Sequence, residues 1–294
     1  MRTVPERLLL RLEWRVVRRL EGRVHGDYRT ANRGPGTDLA GLRGYVEGDD
    51  ARHIDWNVTA RLGEPHLRMF NEDRELTAWL VLDRSASMAV GAPGRGKHDV
   101  LAELALILAR LFSRGGNRVG ALFYDTGMVH VVPPATGRRH VLRVGAELTR
   151  TVGARSGSTT DLAAMLDAVA RLARRRGLIV AVSDFIGGGD WERSLLRLTP
   201  RHEVVALRVI DAADDELPDA GLIVVEDAET GEQLVIDSGD PLLRARFRAG
   251  AGERDARLDA GMRRAGVPLY RISTADDLVG SLIEVVTRTH RRRA

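Results

Sequence analysis

The sequence predicts an α/β protein: a doubly wound, mostly parallel sheet preceded by a leading helix and a small β-rich subdomain. Three observations predict it. From residue 77 onward, short β-prone apolar runs alternate with longer helical ones; the run 77–82 ends in an acid, Asp83; and the run 178–183 ends in a second acid, Asp184. Strands alternating with helices imply right-handed βαβ units around a parallel sheet.

Residues 5–24 set Leu8, Leu9, Leu12, Trp14, Val16, Val17 and Leu20 among arginines and glutamates, the pattern of an amphipathic helix. Such helices mostly pack on their own domain, and that reading is preferred here to a membrane surface. Residues 26–75 carry Gly and Asp turn signals between short β-prone pieces at 52–58 and 66–71, so 1–75 is read as helix plus β-rich subdomain. The α/β domain, 76–294, is expected to place strands near 77–83, 117–124, 178–183, 203–210 and 267–272. Helices are expected near 97–113, 138–150, 161–176, 191–198 and 276–289. Runs at 222–227 and 233–237 flank Glu229-Thr230-Gly231, a hairpin insertion near 221–238, and a helix at 241–264 follows it.

The 294 residues are enough for a full core, and 44% apolar content is that of an ordinary globular chain. No apolar run reaches the roughly 18 residues needed to cross a bilayer, and the start has no signal-peptide pattern. The absence of cysteine excludes disulfides and thiol chemistry, and a cytoplasmic location is expected. Of 45 basic residues only Lys97 is lysine, yet the net charge is a modest +4 because acids interleave with the arginines.

Asp83-Arg84-Ser85-Ala86-Ser87 follows directly on the run 77–82. An acid and two hydroxyls at a strand's C-terminal tip put hard oxygen donors in the crevice where open α/β sheets bind ligands. Such donors suit Mg²⁺, Mn²⁺ or Ca²⁺ rather than zinc. Alone, the string is equally a set of turn formers and helix caps. Two later segments add weight: Gly157-Ser158-Thr159-Thr160-Asp161-Leu162 opens a helical run, and Asp184 ends the run 178–183. Asp83, Ser85 and Ser87, a threonine from the second segment and Asp184 bring five oxygens to one edge, an octahedron with one position open.

This D-x-S-x-S string with a distant Thr and a distant Asp resembles the metal-ion-dependent adhesion site of von Willebrand factor A domains, which makes the expected fold von Willebrand A-like. The resemblance implies that Ser85, Ser87 and Thr160 touch the metal. It implies that Asp83 and Asp184 bind directly or through water, and that a partner's carboxylate completes the shell. It also selects Thr160 over Thr159, since the family's threonine stands just before an acid or amide that opens a helix, as Thr160 stands before Asp161. Upstream, Gly41-Leu42-Arg43-Gly44-Tyr45-Val46-Glu47-Gly48-Asp49-Asp50, continuing through Asp55-Trp56-Asn57 to Arg61, is similar to the signature of the bacterial domain-of-unknown-function family fifty-eight. The similarity extends through 68–75 and Ser183-Asp184-Phe185. Members carry this segment ahead of a von Willebrand A domain, often near a MoxR-type AAA ATPase. The resemblance implies a non-enzymatic, chaperone-like module that captures an acidic side chain through Mg²⁺ or Mn²⁺, with a MoxR-type ATPase as the expected partner.

Other motifs carry less. Gly91 to Lys97 nearly matches a phosphate-binding loop, but His98 stands where a hydroxyl is needed and the strand ends too early, at Asp83; a flexible rim is expected instead. Phosphotransfer on Asp83 would need a second acid where Ser85 stands, and no paired-histidine zinc motif occurs. A metal-dependent hydrolase using the same acids lacks a base. Arg288, His290, Arg291, Arg292 and Arg293 offer a foot for nucleic acid, but are read as a solvated helix end with no nucleic acid expected. Arg52, Asp55, Trp56 and Arg61 are read as part of an ion-pair network; the alternative is a partner-docking face anchored by Trp56.

Overall fold

The computed structural model describes residues 33–46, 49–71, 76–89, 94–114, 116–125, 127–150, 160–227, 230–278, 280–282 and 284–285. The expected leading helix at 5–24 and the arginine tail at 288–293 lie outside these residues. Two compact units divide the described chain, one within Leu20–Glu75 and one within Leu76–Ala294.

In the smaller unit, β1 (Arg33–Gly44) pairs antiparallel with β2 (His66–Asn71). Between them lie a 3-10 turn, Ala51–His53, and a short helix, α1 (Trp56–Leu62). The β-prone piece expected at 52–58 is therefore helical for the most part. The reason is local capping: Asp55 accepts from the Asn57 and Val58 amides at its N-terminus, and Gly63 ends it in the left-handed region at φ 76°. These caps outweigh the β-branched Val58 and Thr59.

The larger unit is built on β3 (Thr77–Asp83), β4 (Arg118–Asp125), β5 (Met128–Ala135), β6 (Leu178–Ser183), β7 (Glu203–Ile210) and β10 (Leu269–Ser273). Their order is β10-β7-β6-β3-β4-β5, parallel except for β5, which runs antiparallel to β4 at the edge. This is the doubly wound, mostly parallel sheet that the sequence predicts. The edge strand β5 was not foreseen, because Pro133 and Pro134 interrupt its pattern; an edge tolerates them, since one side of it needs no ladder partner. The helices are α2 (Ala86–Ala89), α3 (Lys97–Arg114), α4 (Arg138–Leu148), α5 (Leu162–Leu172), α6 (Trp191–Leu198), α7 (Ala212–Asp215) and α8 (Pro241–Arg264). Strands β8 (Leu222–Glu226) and β9 (Gln233–Asp237) form the expected hairpin, and no described helix is long and apolar enough to cross a membrane.

The central strands are buried on both faces, as parallel strands covered by helices must be: all six residues of β6 and all but Thr77 of β3 are buried. Alternation assigns Trp79 and Val81 to one core with Leu162, Met165, Val169, Leu195 and Met262, while Leu80 and Leu82 face the other side. From β3 the chain runs outward through β4 and β5, then returns to lay β6 on the opposite flank of β3. The strand order thus reverses between β3 and β6, and the crevice at their C-terminal ends is where such sheets bind ligands.

Candidate functional site

Asp83 and Asp184 stand at that reversal. Asp83 is the last residue of β3 and fully buried; Asp184 follows β6 and is 1% exposed. The two tips are joined directly, because Ser183 Oγ donates to Asp83 Oδ2 at 2.5 Å. Asp83 Oδ1 accepts from the Ser85 amide at 2.9 Å, a tight turn that aims the next residues back over the strand end. Ser85 Oγ and Ser87 Oγ lie 3.0 Å apart, both buried. After β6, Phe185 sits at φ 55°, strained for a bulky residue. That bend lets Ser183 Oγ take the Phe185 amide at 2.8 Å and Asp184 Oδ1 take the Ile186 amide at 3.0 Å.

Thr160 is fully buried, directly ahead of Asp161, whose side chain caps α5 by accepting from the Ala164 amide. The loop after β6 packs on this pair: the Gly188 amide donates to the Thr160 carbonyl at 3.0 Å. A Cβ at Gly187 would lie 2.6 Å from that carbonyl oxygen, so only glycine fits. The structure therefore brings together the three segments that carry Asp83, Ser85 and Ser87, Thr160, and Asp184.

One participant was missed. Lys97, the first residue of α3, is 1% exposed, and its ammonium donates to Asp184 Oδ2 at 2.9 Å and to Asp214 Oδ1 at 2.8 Å. Asp214 is itself held in a capping box with Asp211 at the start of α7. Of the rim expected to be flexible, Gly91 to Pro93 lie outside the described residues; beyond them Lys97 is tied to two carboxylates, and Arg95 bonds Glu103 and the carbonyls of Thr274 and Asp276. The signal was in the composition: the single lysine of an arginine-rich chain.

Electrostatics single out Asp83. Burial, with the charge of Asp184, pushes it up to about 6 against the opposing bonds from Ser183 and Ser85. Burial alone would pull Lys97 down, but the Asp184 charge and the bonds to Asp214 and Asp184 hold its ammonium above the ordinary range. Arg208 adds no net charge at Asp184: Nε donates to the Asp184 carbonyl at 3.1 Å, and the guanidinium pairs with Asp255. Asp83 and Asp184 thus lie buried side by side, with the Lys97 ammonium shared between Asp184 and Asp214. Among the described residues no group of three His, Cys, Asp or Glu side chains forms a metal cage. An ion here would instead draw on the hydroxyls of Ser85, Ser87 and Thr160 with the acids, hard donors whose chemistry fits Mg²⁺ or Mn²⁺.

In the smaller unit the signature charges pair at short range. Arg43 binds Asp49 through two bonds of 2.7 and 2.6 Å, and Arg52 binds Asp50 at 2.8 Å. Asp55 is spent as the N-cap of α1, Arg61 is exposed in its last turn, and Trp56 is 69% exposed.

Comparison with known proteins places the chain. The family described as "Protein of unknown function DUF58" matches residues 41–257. The chain belongs to the DUF58 family. This DUF58 protein is 39% identical over 280 residues to uncharacterized proteins of Mycobacterium tuberculosis and Mycobacterium bovis, covering 95% of this chain and 88% of each relative. Among solved structures it is similar to the conserved hypothetical protein BatB from Bacteroides thetaiotaomicron, with TM-score 0.45, 13% identity, and coverage of 74% of this chain and 99% of that one. It is also similar to the SpRpn10 VWA domain, with TM-score 0.40, 14% identity, and coverage of 71% and 94%. The larger unit is an α/β fold with a six-stranded, mostly parallel sheet flanked by helices.

Proposed function

We propose that this DUF58 protein is a non-enzymatic interaction module that captures an acidic side chain of a protein partner through a divalent metal at the β3/β6 edge. Ser85, Ser87 and Thr160, with Asp83 and Asp184, would hold Mg²⁺ or Mn²⁺, and the ion would offer its open position to a carboxylate. The observation that carries this reading is the burial of Asp83 beside Asp184, where Lys97 compensates only part of the charge. Buried carboxylates that close together are costly without a cation. The family resemblance supplies the expected partner, a MoxR-type AAA ATPase, and the setting, assembly or maturation of other proteins in the cytoplasm.

Thermal unfolding with Mg²⁺ or Mn²⁺ tests the site. Metal at 100 times its Kd adds about 2.7 kcal/mol to the wild type. Asp83→Ala abolishes that gain. The partner arm is co-sedimentation of the chain with a purified MoxR-type ATPase, expected in Mg²⁺ and lost in EDTA. An unchanged melting curve in the wild type refutes the metal reading; binding indifferent to EDTA refutes metal-dependent capture.

A further inference from the structure

The proposed ion and Lys97 compete for the same carboxylate. Asp184 has two oxygens: Oδ1 takes the Ile186 amide and Oδ2 takes the Lys97 ammonium. A divalent ion that draws on Asp184 must approach a group already neutralised by a buried positive charge, and like charges repel most where water is excluded. The ammonium has a second acceptor in Asp214 Oδ1, whose other oxygen accepts from the Asp211 amide and is thereby fixed. The lysine can therefore release Asp184 without being left uncompensated.

The choice of residue fits this exchange. The chain carries 44 arginines and one lysine, and the lysine stands here. A guanidinium would lock onto a carboxylate with a rigid two-pronged grip. An ammonium is a compact point charge on a flexible stem, able to shift between two carboxylates by small rotations. Arg208 is no substitute, because its guanidinium is engaged by Asp255.

We infer that Lys97 is the resident counter-cation of the β3/β6 edge, holding Asp184 in the metal-free protein and yielding it to an incoming divalent ion, so that Lys97 sets the affinity of the site. This rests on the metal reading above. Lys97 is a positioning residue acting through Asp184, and its removal has two opposite effects. Without metal the buried Asp184 loses its cation and the fold weakens; with metal the competitor is gone and binding tightens.

The experiment compares full-length wild type, Lys97→Met, and Lys97→Met with Asp184→Asn by thermal unfolding across a Mn²⁺ titration begun in chelator. Lys97→Met is expected to melt below wild type in chelator and to recover at a Mn²⁺ concentration at least tenfold lower than the wild type requires. The double variant, with both charges removed, is expected to melt above Lys97→Met in chelator and to gain less from Mn²⁺. Should Lys97→Met not fold even in Mn²⁺, Lys97→Gln takes its place, keeping an N–H donor without the charge. A Mn²⁺ midpoint equal to that of wild type overturns the inference and leaves the metal reading standing, with Lys97 a structural tie only. A silent wild type beside a responsive Lys97→Met variant overturns the inference as well as metal loading of the native edge, because Lys97 then blocks Asp184 and does not yield it. Silence in both overturns both.

Discussion

Replacing Asp83 by asparagine in metal-free protein is expected to make it more stable at neutral pH. Asp83 is raised from 3.8 to about 6 by burial and by Asp184, so ionising it in the folded state is disfavoured by about two pH units. At 1.36 kcal/mol per unit this is about 3 kcal/mol of stability withheld above pH 6. The sign follows from proton binding: the folded protein holds this proton more tightly than the unfolded chain. The group therefore favours folding below about 3.8, and that contribution is lost as pH rises through about 6. Asparagine removes the term but carries a cost of its own. With its oxygen kept on the Ser85 amide, its Nδ2 stands where Oδ2 did and cannot accept the Ser183 hydroxyl; that bond has to reverse or be lost, at a cost of up to about 1 kcal/mol. The net gain is about 2 kcal/mol at pH 8, or about 4–8 °C for a unit of this size. Urea denaturation of both proteins in EDTA between pH 8 and pH 4 measures it, with the advantage of Asp83→Asn shrinking as pH falls. In saturating Mg²⁺ the order should invert, because the ion stabilises only the carboxylate form. A variant less stable than wild type by the same amount at every pH refutes the reasoning.

Gly187→Ala forces a methyl to 2.6 Å from the Thr160 carbonyl and is expected to cost about 1–3 kcal/mol, read as a lowered melting temperature. It should also weaken the Mn²⁺ response, since Thr160 has to move. Asp55→Ala removes both amide bonds at the start of α1 and should cost about 1 kcal/mol, seen as faster proteolysis near residues 56–62 with the Mn²⁺ response unchanged. His98, His140 and His202 are held below their usual 6.5 by burial, so they favour folding when neutral and that contribution is lost as pH falls below 6.5. His140 donates Nε2–H to the Val119 carbonyl at 2.6 Å, and His140→Gln, which keeps an N–H donor, should lose less stability than wild type between pH 7.5 and 5 in urea titrations.

The parts of this molecule legible in its sequence are those where one physical signal acts alone. Burial on both faces writes β3 and β6 as continuous apolar runs, and the acid that ends each run marks the strand tip. The hairpin at 222–237 was read from its turn residues, and α8 ends at Arg264, as its spacing indicates. Competing signals hid the rest. In β5 the prolines contradict a strand unless its position at the sheet edge is known. In α1 the β-branched residues contradict a helix unless the cap at Asp55 is credited. Lys97 was judged within a phosphate-loop pattern from its neighbours in sequence, whereas its partners Asp184 and Asp214 lie 87 and 117 residues away.

The bond from Ser183 to Asp83 closes a span of 100 residues between strands that are immediate neighbours in the sheet. During synthesis, β3 with its acid and two serines leaves the ribosome long before the strand that completes the edge. A chain halted before residue 178 has β3 exposed on one flank, with Asp83 lacking both Ser183 and Asp184. Closing a loop of that length is among the slower steps of folding, because its entropy is lost before the contacts form. The finished edge is thus a record of folding as far as β6: under the proposed function, capture there would be confined to molecules that have added that strand.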